Sequence, residues 1–203
     1  MAKNEQRRKL LCDKAIAVLA ADGVHGLTHR VVDQAADVPL GTTKNYYPTR
    51  DALLRAAAER AYQRYQDDLA QLEAAGVVPT DRTTLAAMLA ELLRRARDAD
   101  RVRLLATLEV HAEATRNPAL RTILGNLMRH EYALYERMQV AAGLPVNQAR
   151  NRVVSRCIHA ALLSLITQPQ DVLVEIGLGD LDAFVAEVLD TVYPRRQSTS
   201  LPS

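Results

Sequence analysis

The chain has 203 residues, 48% of them hydrophobic and only 4% aromatic, and carries a formal net charge of +2. This length holds one large domain or a small one joined to a larger one; the apolar fraction suffices for a core, and so small a charge does not by itself point to nucleic acid. The N-terminus M-A-K-N-E-Q-R-R-K-L has no apolar signal segment and no run nears ~18 uninterrupted apolar residues, so no membrane span is expected and the protein is expected in the cytoplasm.

Ala and Leu dominate, Gly and Pro number eight each, and no alternating strand pattern of useful length occurs, so the predicted class is all-α. A first helix is predicted over residues 4–21, with Leu10, Leu11, Ile16, Val18 and Leu19 inward and Arg7, Arg8 and Lys9 near its start. Gly23 and Gly26 end it and turn the chain into Thr28. The Thr28 hydroxyl can accept a bond from an unpaired first-turn N–H and so cap a short second helix carrying Val31, Val32, Ala35 and Ala36. Asp37 then stands where a tight helix-to-helix turn requires positive φ, a conformation that Asp tolerates better than most residues. Val38 plugs the corner, and Thr42-Thr43-Lys44-Asn45-Tyr46-Tyr47 forms the next helix.

That third helix offers hydroxyls, an amide, an ammonium and two phenols with almost nothing apolar to bury. Held between well-patterned partners, it is suited to the major groove of DNA. The charge is distributed accordingly. Residues 1–50 hold eight Lys or Arg against five Asp or Glu, a net of +3, whereas the remainder holds 18 against 19. Thr42, Thr43, Lys44 and Tyr46 are predicted to face base edges or nearby phosphates, with Asn45 among them. Tyr47, Thr49 and Arg50 at the next helix start, and Thr28, His29 and Arg30 at the preceding one, are placed for phosphate. For Tyr47, packing into the small domain is an equal reading.

Pro48 breaks the chain, Thr49 caps a long helix from about residue 50 to residue 75, and Gly76-Val77-Val78-Pro79-Thr80 stops it. Further helices are predicted over residues 81–98, 100–116, 118–142, 147–167 and 180–192, followed by a disordered tail. The last two carry wide apolar stripes: Val154, Ile158, Leu162 and Leu165 on one, and Phe184, Val188 and Val192 on the other. Each stripe is wider than one partner helix needs. Pairing with symmetry mates in a four-helix bundle accounts for them, as does packing inside one subunit. Cys12 and Cys157 read as buried thiols behaving as small hydrophobes.

The residues Gly41-Thr42, Tyr46-Tyr47, Thr49-Arg50-Asp51 and Leu53-Leu54, without insertions, closely resemble the DNA-binding domain of the tetracycline-repressor (TetR) family of bacterial transcriptional regulators. The specific match covers residues 5–60, with three departures: Asp37 replaces the usual turn Gly, Pro39 the usual Ser cap, and Lys44 a common aromatic. The resemblance implies the same DNA-contacting roles at the positions named above. It implies a helix-turn-helix domain over residues 1–49, a helical ligand-binding and dimerisation domain over 50–193, and a tail over 194–203. It also implies a homodimer on a double-stranded operator and a small-molecule inducer. Glu109, His111, Asn126, Tyr132 and Cys157 are the polar candidates for the ligand pocket.

No cofactor and no metal are expected. No Glu is followed by His three residues on, and neither His-Glu-x-x-His nor a phosphate-binding G-x-x-x-x-G-K-[ST] occurs, so an enzyme is not expected. Two alternatives stay open: an activator of the same fold, and a helical ligand-binding or adaptor protein without DNA binding.

Overall fold

A computed structural model describes residues 2–74 and 78–194, and among these the chain forms ten helices and no strand. They are α1 (Ala2–Gly26), α2 (His29–Ala35), α3 (Thr42–Tyr46), α4 (Arg50–Ala74), α5 (Arg82–Arg97), α6 (Arg101–Ala114), α7 (Pro118–Ala141), α8 (Gln148–Thr167), α9 (Gln170–Glu175) and α10 (Leu181–Val192). The stop expected at Gly76-Val77 and the end of the tail beyond Pro194 lie outside the described residues. The short helix α9 is the element missing from the sequence reading. Six residues are too few to show a helical period, and Gly177, at φ 79°, ends the turn that follows it.

Two compact units result. The first comprises Met1–Val77 and Asp98–His130, and the second comprises Val78–Arg97 and Glu131–Ser203. In the first, α1 is the central element: α2, α4 and α6 all pack on it. Leu11, Ala15, Ile16 and Leu19 of α1 meet Leu27 and Val32 around the turn, Leu53, Leu54 and Ala57 of α4, and Ala106 and Val110 of α6 in one core. Arg60 of α4 closes the side of this core on Asp13 of α1, with Nε to Oδ1 at 2.9 Å. Leu10, expected inward, is exposed instead.

In the second unit α5, α8 and α10 pack against one another. Arg82 and Arg94 of α5 pair with Asp190 and Asp182 of α10. Its interior holds a polar chain as well as aliphatic side chains. Gln139 donates to Asn151 Oδ1 and to the Tyr135 carbonyl, both at 2.8 Å. Asn151 donates to the Tyr132 carbonyl at 3.0 Å, and the Tyr193 hydroxyl donates to Gln139 Oε1 at 2.7 Å. Three side chains and two backbone carbonyls thus satisfy one another across α7, α8 and the residue after α10, as buried polar atoms must.

The expected dimer stripes are partly used up by this packing. Val154, Ile158 and Leu165 are buried inside the chain, because they lie on the face of α8 that meets the unit's own core. This corrects their placement at a surface. Leu162, Phe184, Val188 and Val192 are half-buried, while Val153 and Leu163 are exposed. Only this second group can serve another subunit.

Tyr193→Phe removes one donor and leaves Gln139 Oε1 buried without a partner. It should lower the unfolding free energy by about 1–3 kcal/mol, measured by urea titration of the helical signal, with no change in helix content before the transition.

Candidate nucleic-acid interface

Helix α3 is five residues long, and an isolated helix of that length does not hold together in water. Its geometry is therefore imposed by its neighbours. The turn before it opens at Asp37, whose φ of 51° is the left-handed conformation predicted for that position. The Val38 N–H closes on the Asp33 carbonyl at 3.0 Å, and Val38 packs against the core. Gly41, at φ 89°, then turns the chain into the helix. A side chain there would be strained by its backbone, although the space beside it is open.

No side chain of the α3 N-cap residue bonds to the helix. The bonding comes from Asp33 of α2, which is 1% exposed. Its Oδ2 accepts the Gly41 N–H at 2.7 Å, and its Oδ1 accepts the Thr43 N–H at 2.7 Å and the Thr43 hydroxyl at 2.5 Å. Burial pulls this carboxyl upward in pKa, but the bonds from Thr43 and Gly41 outweigh it and hold the group below the ordinary aspartate range. Sequence reasoning missed Asp33. Its signal is a lone carboxylate on an otherwise apolar helical face, next to Val32.

This arrangement divides the residues expected at DNA. Thr28, Arg30, Lys44, Asn45, Thr49 and Arg50 are exposed, and His29, Thr42 and Tyr46 are half-buried. Thr28 and Thr49 also perform their capping roles, accepting the N–H of Val31 at 3.2 Å and of Ala52 at 3.0 Å. Thr43 is different: at 0% exposure, with its hydroxyl on Asp33, it cannot reach a base edge. Tyr47 is buried too, its hydroxyl 3.0 Å from Cys12 Sγ, and burial pushes its phenol pKa well above the usual range. The position of Thr43 on the inner face of α3, and of Tyr47 at its end, explains both corrections. Of the two readings of Tyr47, packing is the one its burial supports.

His29 and Arg50 are turned toward backbone. The His29 Nε2–H donates to the Tyr47 carbonyl at 2.7 Å, which ties the start of α2 to the end of α3. Arg50 donates through Nε to the Leu27 carbonyl at 2.9 Å and through its terminal nitrogen to the Val24 carbonyl. Both therefore brace the α1–α2 turn and the start of α4. Two exposed groups beside α3 were not anticipated. Leu40 is 69% exposed immediately before the helix, and the Arg8 guanidinium lies 5.7 Å from the Tyr46 ring centre and 5.6 Å from that of Tyr47. An apolar residue between Pro39 and Gly41, outside any helical period, was the available signal for Leu40.

The ligand candidates are divided between the two units, Glu109, His111 and Asn126 in the first and Tyr132 and Cys157 in the second. Glu109 accepts the Val24 N–H at 3.0 Å, at the break in α1 where Gly23 has φ 66° and ψ −174°. A Cβ at Gly23 would stand 3.0 Å from Glu109 Oε2, so the glycine serves both the backbone angle and the close approach. His111 donates through Nδ1 to the Thr107 carbonyl one turn back on α6, and Asn126 is exposed and accepts from Arg129. Tyr132 and Cys157 belong to the second unit, where each is half-buried. Among the described residues no group of three or more His, Cys, Asp and Glu is placed to hold a metal ion, and no helix is long and apolar enough to cross a membrane.

The depressed Asp33 pKa makes a signed prediction. Its contribution to stability is complete above the aspartate value of the unfolded chain, near 4, and is lost as pH falls through the lower native value. Asp33→Asn should therefore lower stability at neutral pH, while the gap to the unmodified protein narrows in acid. Thermal melts between neutral pH and pH 3 check this, and parallel pH profiles for the two proteins would contradict it.

The comparisons with known proteins agree with this geometry. Residues 80–191 match the family model described as the tetracyclin repressor-like, C-terminal domain. Over 93 residues the chain is 33% identical to an uncharacterized HTH-type transcriptional regulator in the dhlA 5′ region of Xanthobacter autotrophicus, 46% of each chain. Over 77 residues it is 31% identical to the HTH-type transcriptional repressor KstR of Mycolicibacterium smegmatis, 38% of each chain. These matches thus span less than half the length of the curated relatives. The crystal structure of the multidrug binding protein EbrR complexed with ethidium superimposes with a TM-score of 0.67 at 27% identity, covering 93% of this chain and 99% of that one. A family model that matches more than half of the chain, over a helical fold headed by a helix-turn-helix, shows that the protein belongs to the TetR family of transcriptional regulators.

Proposed function

We propose that the protein is a dimeric, ligand-responsive repressor that binds a near-palindromic operator and is released by a small-molecule inducer. The observation that carries this reading is the polar helix α3, whose outward groups Lys44, Asn45, Thr42 and Tyr46 stand on a buried frame while Thr43 and Tyr47 anchor it from behind. Such an element costs stability to hold and has nothing of its own to bury, which suits a surface that meets the major groove. We take the functional boundary after residue 49, at the start of α4, with α4 itself packed in the same compact unit as the helix-turn-helix.

In this reading Lys44 and Asn45 reach base edges, with Lys44 able to donate to guanine O6 or N7 and Asn45 to pair with adenine. Leu40 offers a methyl surface to thymine. Arg30 and the hydroxyls of Thr28 and Thr49 meet phosphates and set register, whereas His29 and Arg50 position the elements that carry them. A dimer supplies two such helices at half-sites about one DNA turn or a multiple of it apart. Leu162, Phe184, Val188 and Val192, the half-buried part of the two stripes, form its contact surface. Inducer binding favours a conformation with mismatched half-site spacing, and such couplings are typically worth about 1–3 kcal/mol. The name of KstR supports the repressor sign, and the ethidium complex of EbrR supports a small-molecule ligand; Tyr132 and Cys157 are the first residues to test for its pocket.

Selection from a pool of random duplexes, followed by anisotropy titration at two salt concentrations, tests the DNA reading. Lys44→Ala should shift base preference at one position of each half-site by about 1–3 kcal/mol, whereas Arg30→Ala should weaken all duplexes alike and flatten the salt slope. If neither substitution changes affinity or selectivity, α3 is not the reading helix. For the dimer, Phe184→Glu should yield monomers in sedimentation velocity with the helical signal retained, and an unchanged sedimentation coefficient would remove α10 from the interface.

A further inference from the structure

Pro39 stands at the turn that enters α3, at the position where the TetR resemblance leads one to expect a serine cap. Proline has no hydroxyl, and here it supplies only its carbonyl, which accepts the Thr42 N–H at 3.1 Å and the Thr42 hydroxyl at 2.6 Å. Gly41, the residue before the helix, has no side chain either. Beyond the Pro39 carbonyl on Thr42, the local sequence offers no side chain to the Gly41 and Thr43 N–H groups at the start of this five-residue helix. Those groups are nonetheless satisfied, by a carboxylate eight and ten residues earlier in the chain.

We propose that Asp33 is the positioning residue of the reading helix, a cap delivered from α2 in place of the missing serine. This rests on the reading of α3 as the DNA-reading helix. The geometry differs in kind from a local cap. A serine at the turn would tie α3 to its own entry loop, whereas the two oxygens of Asp33 tie it to α2 at two adjacent points, Gly41 and Thr43. A bidentate acceptor buried between two helices fixes the rotation of one about its own axis relative to the other. That rotation decides which side chains of α3 face outward. With Thr43 held against Asp33, Thr42, Lys44, Asn45 and Tyr46 are left on the open side.

A second consequence concerns what the helix presents. The Gly41 and Thr43 N–H groups are both taken by Asp33, so neither is available to a phosphate. Those two donors of the α3 start therefore play no part in backbone anchoring. Removing Asp33 leaves the Thr43 hydroxyl and two backbone N–H groups without their acceptor, whereas removing the Thr43 hydroxyl takes one of the three donors from Asp33.

The test is a rescue. Against a duplex selected by the unmodified protein, D33A/T43V, which removes both polar partners together, should bind at least tenfold more weakly. Restoring a local cap with P39S in that background should recover most of the lost affinity. A purely structural loss, such as a packing defect behind α3, would not respond to a hydroxyl at position 39. Binding by D33A/T43V within twofold of the unmodified protein, or no recovery with P39S, overturns the proposal. A measurement on the unmodified protein decides the matter even where the double variant fails to fold. The Gly41 and Thr43 amide protons should be protected from exchange, and their shifts should follow a single acid titration together. Rapid exchange of both overturns the cap. If the unmodified protein selects no duplex, the DNA reading fails by itself, and the cap stands or falls on those two amides.

Discussion

The structure turns on a buried carboxylate. Asp33 has almost no contact with water, yet accepts three hydrogen bonds within 2.7 Å from the start of α3. A charge in that position would be costly if unpaired, and it is tolerated only because every bond it lost to water is replaced by a donor aimed at it. The arrangement imposes order on a segment with no order of its own. A helix of five polar residues lies far below the length at which helices persist alone, so its direction and rotation are properties of α2 and of the core beneath it. The outward groups are usable for recognition because the inward ones are bound.

The frame behind α3 shows the same economy. The break near the end of α1 is a non-helical glycine, Gly23, and the backbone groups that follow it find partners at a distance. The Val24 N–H goes to Glu109 on α6, and the Val24 and Leu27 carbonyls go to Arg50 at the head of α4. Three helices therefore meet at one turn through charged side chains bonded to main chain, which are directional in a way that apolar packing is not. Glu109 and Arg50, from which ligand and phosphate contacts were expected, also clamp this turn.

In the second unit, polarity serves cohesion. Gln139, Asn151, Ser155 and Tyr193 form a closed set of donors and acceptors inside a bundle that is otherwise aliphatic. Such a network specifies one register of α7 against α8, because a shift of one turn would leave several buried groups without partners. Aliphatic stripes alone would not do this, as Leu, Val and Ile tolerate sliding. The same packing explains why the apolar surface of α8 and α10 is narrower than the composition suggests. Val154, Ile158 and Leu165 of the α8 stripe are consumed in holding the unit together, while Leu162 and the α10 residues Phe184, Val188 and Val192 stay half-buried.

Much of this was legible in the sequence. The periodic apolar positions, the Gly and Pro punctuation and the capping threonines place nine of the ten helices near their observed bounds, because those signals act within one or two turns of chain. The positive φ at Asp37 was legible for the same reason: the turn geometry is local. The sequence also showed which residue types gather at the helix-turn-helix, and hence the kind of partner they suit. It did not show which of those residues face outward. Thr42 and Thr43 are identical side chains one position apart, and only the location of Asp33 ten residues earlier decides that one is buried and the other is not. Tyr46 and Tyr47 divide likewise, by the proximity of Cys12 to the second ring. Val154, Ile158 and Leu165 were assigned to a surface by their apolar period, and the tertiary structure placed them inside; the backbone partners of Glu109 and Arg50 were likewise beyond the reach of residue type. A side chain's partner across a long stretch of chain is set by how the helices pack, and no local pattern encodes that distance.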